Sequence, residues 1–488
     1  MSKPINSFPT YEIKWNDKKK QWDSWYRGVN LGRGGWAHSI PGIYSNVALL
    51  DASSMHPTSI EMLNKLGKYT PRYSALKQAR VFIKHKDYES AGKLFDGKLK
   101  KYLTDSRTAK TLSKALKLPI NAFYGVSSAG FENPARDSRD KNNIIAARGA
   151  LFMKTLWDAV IEKGYFPFSV KTDSIKIADA TPEIIKFVQD LGREYGYEME
   201  HEGTYERICI VDKSNYIATF MSPDECMERY GYIPADNKDQ FESYNHPWTV
   251  TGDNFANPYV FKTLFSGEPP TFEDMCEVKS VSDAAIYLDF NEGYPDVTKE
   301  EEELKRREFN EYEADENDPK KKPKRLNKLY AGYSDEKLKE IIATGHNYEF
   351  IGRVSNFFPV EDGENGGVLL SLRNGKYNAV NGSIGYRWME ADVAKMLGKE
   401  DAYSRKYFDD KIEKVIKSIN HFGSFDRFID LSRPYIPPDD ISPAADDDPP
   451  WSVVPCGDGK FNTCMDCPNC VGDVCKRGYS LANYFEGE

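Results

Sequence analysis

Hydrophobic and polar positions along the chain follow patterns that predict both strands and helices. An apolar run at 47–50 stops on Asp51 and a turn of small residues, which is typical of a buried strand. Residues 61–125 predict helices, and the stretch 105–124 contains no glycine and a single helix breaker, Pro119. The chain is therefore expected to pass from a sheet strand into a helical region.

The following segments predict two strand pairs with a helix between them. Residues 164–180 form two short strand patterns around a tight turn that carries Asp173. Thr181 and Pro182 then suit a helix start, and residues 204–220 have the pattern of another strand pair. At 488 residues the chain should hold several subdomains rather than one core.

Charge is distributed unevenly in a chain whose net charge is −9. Between residues 61 and 120 there are 15 Lys and Arg against five Asp and Glu. Such an excess is what a phosphate-binding surface would contain, although a solvated helical face has the same composition. Residues 295–325 carry acidic and basic blocks, which predict a solvated helix and a flexible connector.

Two carboxylates stand beside apolar strand patterns, where a charge needs a cation or a cage of hydrogen bonds. For Asp51 the alternative is a helix N-cap or turn, because Ser53, Ser54 and Pro57 suit a strand-to-helix turn. Asp51 and Asp173 together could share divalent metal. Mg²⁺ prefers a few carboxylates together with water and substrate phosphates.

A polar stripe lies on the helix predicted between these two carboxylates. Its members recur at steps of four, three, four and three, and they are Lys110, Lys114, Lys117, Asn121 and Tyr124. That spacing places all five on one helical face, which needs solvent or an external partner. Lysines opposite metal-binding carboxylates could bind a triphosphate. Carboxylates and lysines together therefore favour nucleotidyl transfer as the reaction.

Four motifs resemble those of family B DNA polymerases, in the order of that family. "DASSMHPTSI" resembles motif A (D-x-x-S-L-Y-P-S-I), "KLPINAFYG" motif B (K-x-x-x-N-S-x-Y-G), "KTDSIKI" motif C (D-T-D-S) and "DKSNY" the later K-K-R-Y segment. "RGG" at 33–35 stands where the family has Y-x-G-G. Segments at 257–270 and 350–393 look similar to bacteriophage-encoded members, which would work in DNA replication in the host cytoplasm.

The resemblance implies a DNA-directed DNA polymerase that adds dNTPs to a primer 3′-hydroxyl on primer–template DNA. Asp51 and Asp173 would bind two Mg²⁺ ions, for which Mn²⁺ can substitute, and the Ala52 carbonyl would add a ligand. Lys117 would act with the aspartates as a catalytic residue on the incoming triphosphate. Lys110 and Lys114 would assist it, an assignment that also rests on their helical phase.

Further positions matched by the resemblance would contact the base pair and the DNA. Asn121, Tyr124 and His56 would line the nucleotide pocket. The residues expected at the DNA are Gly34, Gly35, Lys213 and Tyr216.

Among the departures from the family pattern, which include Gly32, Ser214 and Asn215, two bear on function. Lys171 replaces the first Asp of motif C, which adds a cation beside the expected metal site. One alternative is therefore a non-catalytic, polymerase-like scaffold that binds DNA. His56 replaces the tyrosine that excludes ribonucleotides in the family, so a polymerase with relaxed sugar selectivity is a second alternative.

The resemblance implies an α+β fold arranged as a right hand. The N-terminal segment and first palm strand would span 1–60, the fingers 61–121, the palm 122–222 with an antiparallel sheet, and a thumb and accessory region 223–435. Family members usually carry an exonuclease domain ahead of motif A, but only 50 residues precede Asp51 and none forms a D-x-E pair. Proofreading is thus expected either from a separate exonuclease chain, alongside any processivity subunit, or from the rest of a larger or split protein of which this chain is the polymerase half.

A Pro/Asp-rich linker at 436–450 is expected to separate a small cysteine-rich module at 451–488. Five of the eight cysteines lie there, spaced C-x7-C-x2-C-x2-C-x4-C: Cys456, Cys464, Cys467, Cys470 and Cys475. Four of the five could bind Zn²⁺, while an iron–sulfur cluster or free thiols are the alternatives. This clustering suggests a reducing, cytoplasmic compartment, and no apolar run is long enough to cross a membrane.

Overall fold

The computed structural model describes residues 8, 11–129, 131–133, 143–282, 284–290, 346–361, 363–364, 366–435, 470–471 and 474–475. The chain divides into two compact units, Met1–Gly252 with Lys417–Glu488, and Asp253–Ile416. Both units combine helices with antiparallel sheets, so the expected mixture of α and β structure is confirmed. The finer division into palm, fingers and thumb stays a prediction.

The first unit contains most of the strands and helices. Its strands are β1 (Glu12–Asn16), β2 (Gln21–Tyr26), β3 (Val29–Gly32), β4 (Ala37–Ser39), β5 (Gly42–Ala52), β6 (Phe166–Lys171), β7 (Ser174–Ala178), β8 (Met199–Ile210), β9 (Tyr216–Phe220) and β10 (Trp248–Thr251). Its helices before residue 252 are α1 (Met55–Met62), α2 (Thr70–Lys84), α3 (Tyr88–Lys93), α4 (Ser106–Ser128), α5 (Ile144–Glu162), α6 (Pro182–Glu194), α7 (Pro223–Tyr230) and α8 (Ala235–Ser243).

A seven-stranded antiparallel sheet forms the centre of this unit, in the order β10-β9-β8-β5-β7-β6-β4. The apolar run that ends before Asp51 lies within β5, and its side chains are buried in the main core together with those of α5. The two predicted strand pairs are confirmed as β6–β7 and β8–β9. Strands β1, β2 and β3 form a separate three-stranded sheet.

The helical region packs α2 against α4. Leu116 and Ile120 of α4 lie in a buried cluster with Ala79 and Ile83 of α2, and the Tyr73 hydroxyl donates to the Ile120 carbonyl at 3.0 Å. The helix predicted on both sides of Pro119 is confirmed, since α4 runs without interruption from Ser106 to Ser128. Buried contacts on both sides of the proline hold the two halves against α2, which compensates for its missing N–H.

The second unit contains two small antiparallel sheets. Its elements are α9 (Pro258–Phe261), β11 (Glu277–Ser280), β12 (Ala285–Asp289), β13 (Tyr348–Gly352), β14 (Val354–Val360), β15 (Val368–Arg373), β16 (Lys376–Ala379), β17 (Arg387–Glu390), α10 (Ala391–Met396) and α11 (Arg405–Asn420), the last of which ends in the first unit. The sheets have the orders β11-β14-β17 and β13-β12-β15-β16. Trp388 is fully buried among aromatic side chains at their core.

The chain ends with α12 (Phe425–Ile429) and a short pairing of β18 (Cys470–Val471) with β19 (Val474–Cys475), in which Cys470 is opposite Cys475. The charged segment 295–325, the linker, the side chains of the five tail cysteines and the rest of that module lie outside the described residues. None of the described helices has the length and apolar content to cross a bilayer.

Candidate functional site

The structure brings Asp51 and Asp173 together on neighbouring strands. Asp51 is the penultimate residue of β5 and lies opposite Ser174 of β7. Asp173 lies in the two-residue turn between β6 and β7, and its carbonyl accepts a 2.8 Å hydrogen bond from the Ala52 N–H. Asp51 is therefore a strand residue rather than a helix cap, and Ser54 occupies the position before α1.

Both carboxyl groups resist ionisation in this setting. Burial and the charges of Asp173, Glu202 and Glu200 raise the pKa of Asp51 to about 7. Burial also raises the pKa of Asp173. Two partly desolvated carboxylates repel each other unless a positive charge lies nearby. A divalent cation supplies that charge, so such a pair favours its binding. The two aspartates thus fit the Mg²⁺ expected from their sequence setting.

Two further acidic side chains help to raise the pKa of Asp51 by their charge, and the sequence analysis missed them. Glu200 of β8 is the strand partner of Asp51, and Glu202 lies two residues further along. Lys84, the last residue of α2, donates a 2.7 Å hydrogen bond to Glu200. Against the effect of burial, Lys84 holds the pKa of Glu200 below its usual value. The available signal in the sequence was the placement of the two glutamates at alternate positions of "MEHEG" (199–203), and the structure leaves both of them half-buried.

Lys171 does not neutralise the pair. Its side chain is exposed at the end of β6, and burial is the largest influence on the pKa of both aspartates and raises it. Its effect falls on Lys176 of β7, whose side chain is 5% exposed. Burial and Lys171 lower the pKa of Lys176 to about 8, while Asp51 opposes that shift.

Lys176 also connects distant strands of the sheet. Its ammonium lies 4.9 Å from the ring centre of Tyr216 on β9, although β5 and β8 separate the two strands. A contact across two intervening strands requires the sheet to curl, so Tyr216 is brought towards β7. Lys213 lies in the turn before Tyr216. Its charge acts on His38 of β4, where it contributes to the lowered pKa of that histidine.

The glycine pair before β4 approaches the turn that carries Asp173. A Cβ atom on Gly35 would lie 2.4 Å from Cγ2 and 2.9 Å from Cβ of Thr172, whereas one on Gly34 would meet nothing within 4 Å. The Thr172 N–H donates to the Trp36 carbonyl at 2.8 Å. Thr172 has a φ of 62°, which is strained for a β-branched residue and typical of functional turns. Gly35 therefore positions the turn through close backbone approach.

The polar stripe of α4 is present as an exposed face. Lys110, Lys114, Lys117 and Asn121 are all exposed, and within the described residues none of the three lysines forms an ion pair. Asp105 caps the helix by accepting a hydrogen bond from the Thr108 N–H. The three cations are thus available to an anionic ligand.

The fifth stripe residue lies against motif A. The rings of His56 and Tyr124 stack with centroids 4.1 Å apart and planes inclined by 19°. The Tyr124 hydroxyl accepts a 2.9 Å hydrogen bond from the Asn143 amide. Burial lowers the pKa of His56, so its imidazole is neutral near pH 7, and its buried Nδ1 makes no hydrogen bond among the described residues. This stack joins α1, which follows Asp51, to α4.

No cluster of three or more His, Cys, Asp and Glu side chains suited to a metal ion occurs in the described part of the chain. The Mg²⁺ ligands Asp51, Asp173 and the Ala52 carbonyl stay a prediction. So does the metal of the cysteine-rich tail, because those side chains lie outside the described ranges.

Comparisons with known proteins find similarity to solved structures. No protein-family model and no curated protein matches the chain. Among solved structures, it is similar to the family B DNA polymerase from the hyperthermophilic archaeon Pyrobaculum calidifontis, with a TM-score of 0.35 and 13% sequence identity. The match covers 80% of this chain and 46% of that polymerase, so the chain spans about half the length of the protein it matches.

Proposed function

We propose that the chain is a Mg²⁺-dependent, DNA-directed DNA polymerase of the bacteriophage family B type, which adds dNTPs to a primer 3′-hydroxyl. The placement of Asp51 and Asp173 carries the proposal. The two carboxyl groups are held side by side at the ends of paired strands, and both have raised pKa values. A sheet that holds two such groups at one end of its strands resembles the palm expected from the sequence motifs.

Asp51, Asp173 and the Ala52 carbonyl would hold the metal. When bound, Mg²⁺ would lower the pKa of the primer 3′-hydroxyl and offset the charge of the triphosphate. Glu200 and its ion pair with Lys84 would hold the carboxylate group in place from the other side of β5.

The exposed lysines of α4 would bind the triphosphate. Lys110, Lys114 and Lys117 lie on one face of a capped helix, and they make no ion pairs among the described residues. Neutralising phosphate charge is the main task of the protein in phosphoryl transfer. Lys117, one turn before Asn121, would lie closest to the reacting phosphate because the stripe ends at the nucleotide pocket.

The stacked rings of His56 and Tyr124 would form the floor of that pocket. Their plane-to-plane contact presents a flat surface where the sugar of the incoming nucleotide would lie. The neutral imidazole and the tyrosine fixed by Asn143 would discriminate by shape rather than by charge.

Primer extension tests the proposal. The purified chain, a labelled primer on a DNA template and Mg²⁺ are incubated with dNTPs or rNTPs in parallel lanes. We expect extension by the parent chain and by Asp239→Ala, an exposed carboxylate of α8 that serves as the control, but none by Asp173→Ala. Equal extension by Asp173→Ala and the parent would refute the assigned site.

The exposed cation at Lys171 favours one second candidate, a DNA-binding scaffold without catalysis. The two candidates differ in their response to metal and nucleotide. A polymerase should gain thermal stability when dNTP and Mg²⁺ or Mn²⁺ are added together, and the Asp173→Ala variant should lose that gain. A scaffold would show DNA binding, no metal-dependent nucleotide shift and no extension.

A further inference from the structure

The hairpin of β1 and β2 exposes aromatic surface that the core does not use. Trp15 lies directly opposite Trp22, and the two rings pack edge to face with centroids 5.5 Å apart. Trp15 is 46% exposed, and Ile13 on the same face of β1 is 38% exposed. The Trp15 indole donates a 3.0 Å hydrogen bond to Asp17, which fixes the orientation of the ring.

Basic side chains surround this aromatic surface. The turn that joins the two strands contains three consecutive exposed lysines, Lys18, Lys19 and Lys20. Within the described residues none of them forms an ion pair. Lys14 does not add to this charge, because it pairs with Glu12 at 2.7 Å and its ammonium lies 5.1 Å from the ring centre of Trp25 on the other face. The tip therefore presents the three turn lysines beside one acidic residue, Asp17.

The hairpin is held rigid beneath this charge. Asp23 is fully buried and accepts hydrogen bonds from the side chains of Asn16, Gln21 and Asn30 at 2.6, 2.7 and 3.1 Å. The Asn16 side chain in turn accepts from the Lys19 N–H at 3.1 Å. A surface ordered before its ligand arrives loses less entropy on binding.

We propose that this hairpin tip, residues 13–22, binds single-stranded nucleic acid. Bases would stack on Trp15, and the phosphates would pair with Lys18, Lys19 and Lys20. An exposed aromatic ring beside a run of cationic groups matches a strand whose bases are unstacked and whose backbone is anionic. Three adjacent lysines disfavour a protein partner, since an apolar interface would have to desolvate them without a counter-charge. The inference goes beyond the polymerase function and does not depend on it.

Equilibrium binding and cross-linking test it on the full chain. A fluorescein-labelled 20-nucleotide oligothymidylate is titrated at several salt concentrations, with Mg²⁺ left out. Trp15→Ala should weaken binding about tenfold, while Trp15→Phe, which keeps an aromatic face, should restore most of the affinity. Changing Lys18, Lys19 and Lys20 to Gln should reduce the salt slope by about 2.

A matched triple variant separates local from general electrostatics. Changing the exposed Lys163, Lys186 and Lys238 to Gln removes the same charge elsewhere in the first unit and should leave affinity and slope unchanged. A bromouracil-substituted strand should cross-link to the peptide that contains Trp15. The proposal would be overturned if both hairpin variants bound the oligonucleotide as the parent does, or if the two lysine triples lost equal affinity. It would also be overturned if all cross-links lay outside residues 11–27, or if duplex DNA competed as well as the single strand.

Discussion

The peptide N–H of Ala52 donates a 2.8 Å hydrogen bond to the carbonyl oxygen of Asp173. This bond joins the end of β5 to the turn between β6 and β7, immediately beside Asp51. The separation of the two carboxylates is therefore set by the paired strands and by the tight two-residue turn that this hydrogen bond ties to β5. Functional groups on strands are positioned more precisely than groups on loops. A metal ion shared by two carboxylates requires such precise positions.

Replacement of Asp51 by Asn should stabilise the metal-free chain while it abolishes primer extension. The folded pKa of Asp51 is about 7, above its ordinary value of 3.8, so its ionisation costs the fold stability as pH rises through that window. At pH 8 with a chelator the rise in pKa from 3.8 to about 7 corresponds to about 4 kcal/mol, and we expect Asn, which is still a partly buried polar group, to recover about half of it in the free energy of unfolding. Urea titration measures it, with Asp239→Asn as an exposed control. A loss of stability in Asp51→Asn would contradict the raised pKa.

The two glycines before β4 should differ sharply in their tolerance of a side chain. In Gly35→Ala the new Cβ would overlap the Cβ of Thr172, so the turn that carries Asp173 must move. We expect a cost of about 1–3 kcal/mol and a fall of at least about tenfold in primer extension. Gly34→Ala has open space around it and should keep the stability of the parent chain. Similar free energies of unfolding for the two variants, measured by urea titration, would show that Gly35 does not position this turn.

Sequence patterns anticipated the local elements of the site better than its long-range contacts. The strands around Asp51 and Asp173 and the helical phase of the α4 lysines follow from periodicity within short segments. Glu200 was missed because its position depends on the register between β5 and β8, which shifts at a bulge between Leu49 and Leu50. Register across strands far apart in sequence is decided by packing and is not encoded in either strand alone.

The sequence pattern also did not predict that Lys176 is buried. The alternation around it predicts that Lys176 shares a face with Ser174, but exposure of that face depends on how far the sheet curls. The contact with Tyr216 arises from that curl. The sequence also did not predict the sheets of the second unit. Its strands β12 and β13 pair with each other, but residues 291–345 separate them in the sequence, so no local pattern indicates the pairing.

The stack of His56 on Tyr124 should control sugar selectivity if the proposed polymerase function holds. Replacing His56 by Ala removes one of the two rings and opens space beside the sugar, so we expect the ratio of dNTP to rNTP incorporation to fall by at least about tenfold. His56→Tyr should raise that ratio. Single-nucleotide incorporation kinetics measure both variants. Tyr124→Phe, which keeps the stacked ring and loses the bond to Asn143, serves as the control and should retain selectivity.

If His56→Ala and His56→Tyr have the same ratio as the parent chain, this position does not contact the sugar. A fall in overall rate without a change in ratio would assign His56 to packing alone. Both outcomes are separable from a failure to fold by comparing thermal unfolding of the three variants.

Acid should destabilise the first unit through His201. Its ring is 8% exposed, with Nδ1 against the Tyr232 hydroxyl at 2.8 Å and Nε2 against the Thr204 hydroxyl at 2.9 Å. Burial lowers the pKa of His201 from 6.5 to about 4, so below pH 6.5 the unfolded chain takes up a proton that the folded chain refuses. Stability is thus lost as pH falls from 6.5 to 4, by about 3 kcal/mol in all. Urea titrations at pH 7.5 and pH 5 should show a smaller acid loss for His201→Gln than for the parent or for the exposed control His421→Gln. Equal losses in all three proteins would mean that His201 accepts its proton in the folded state.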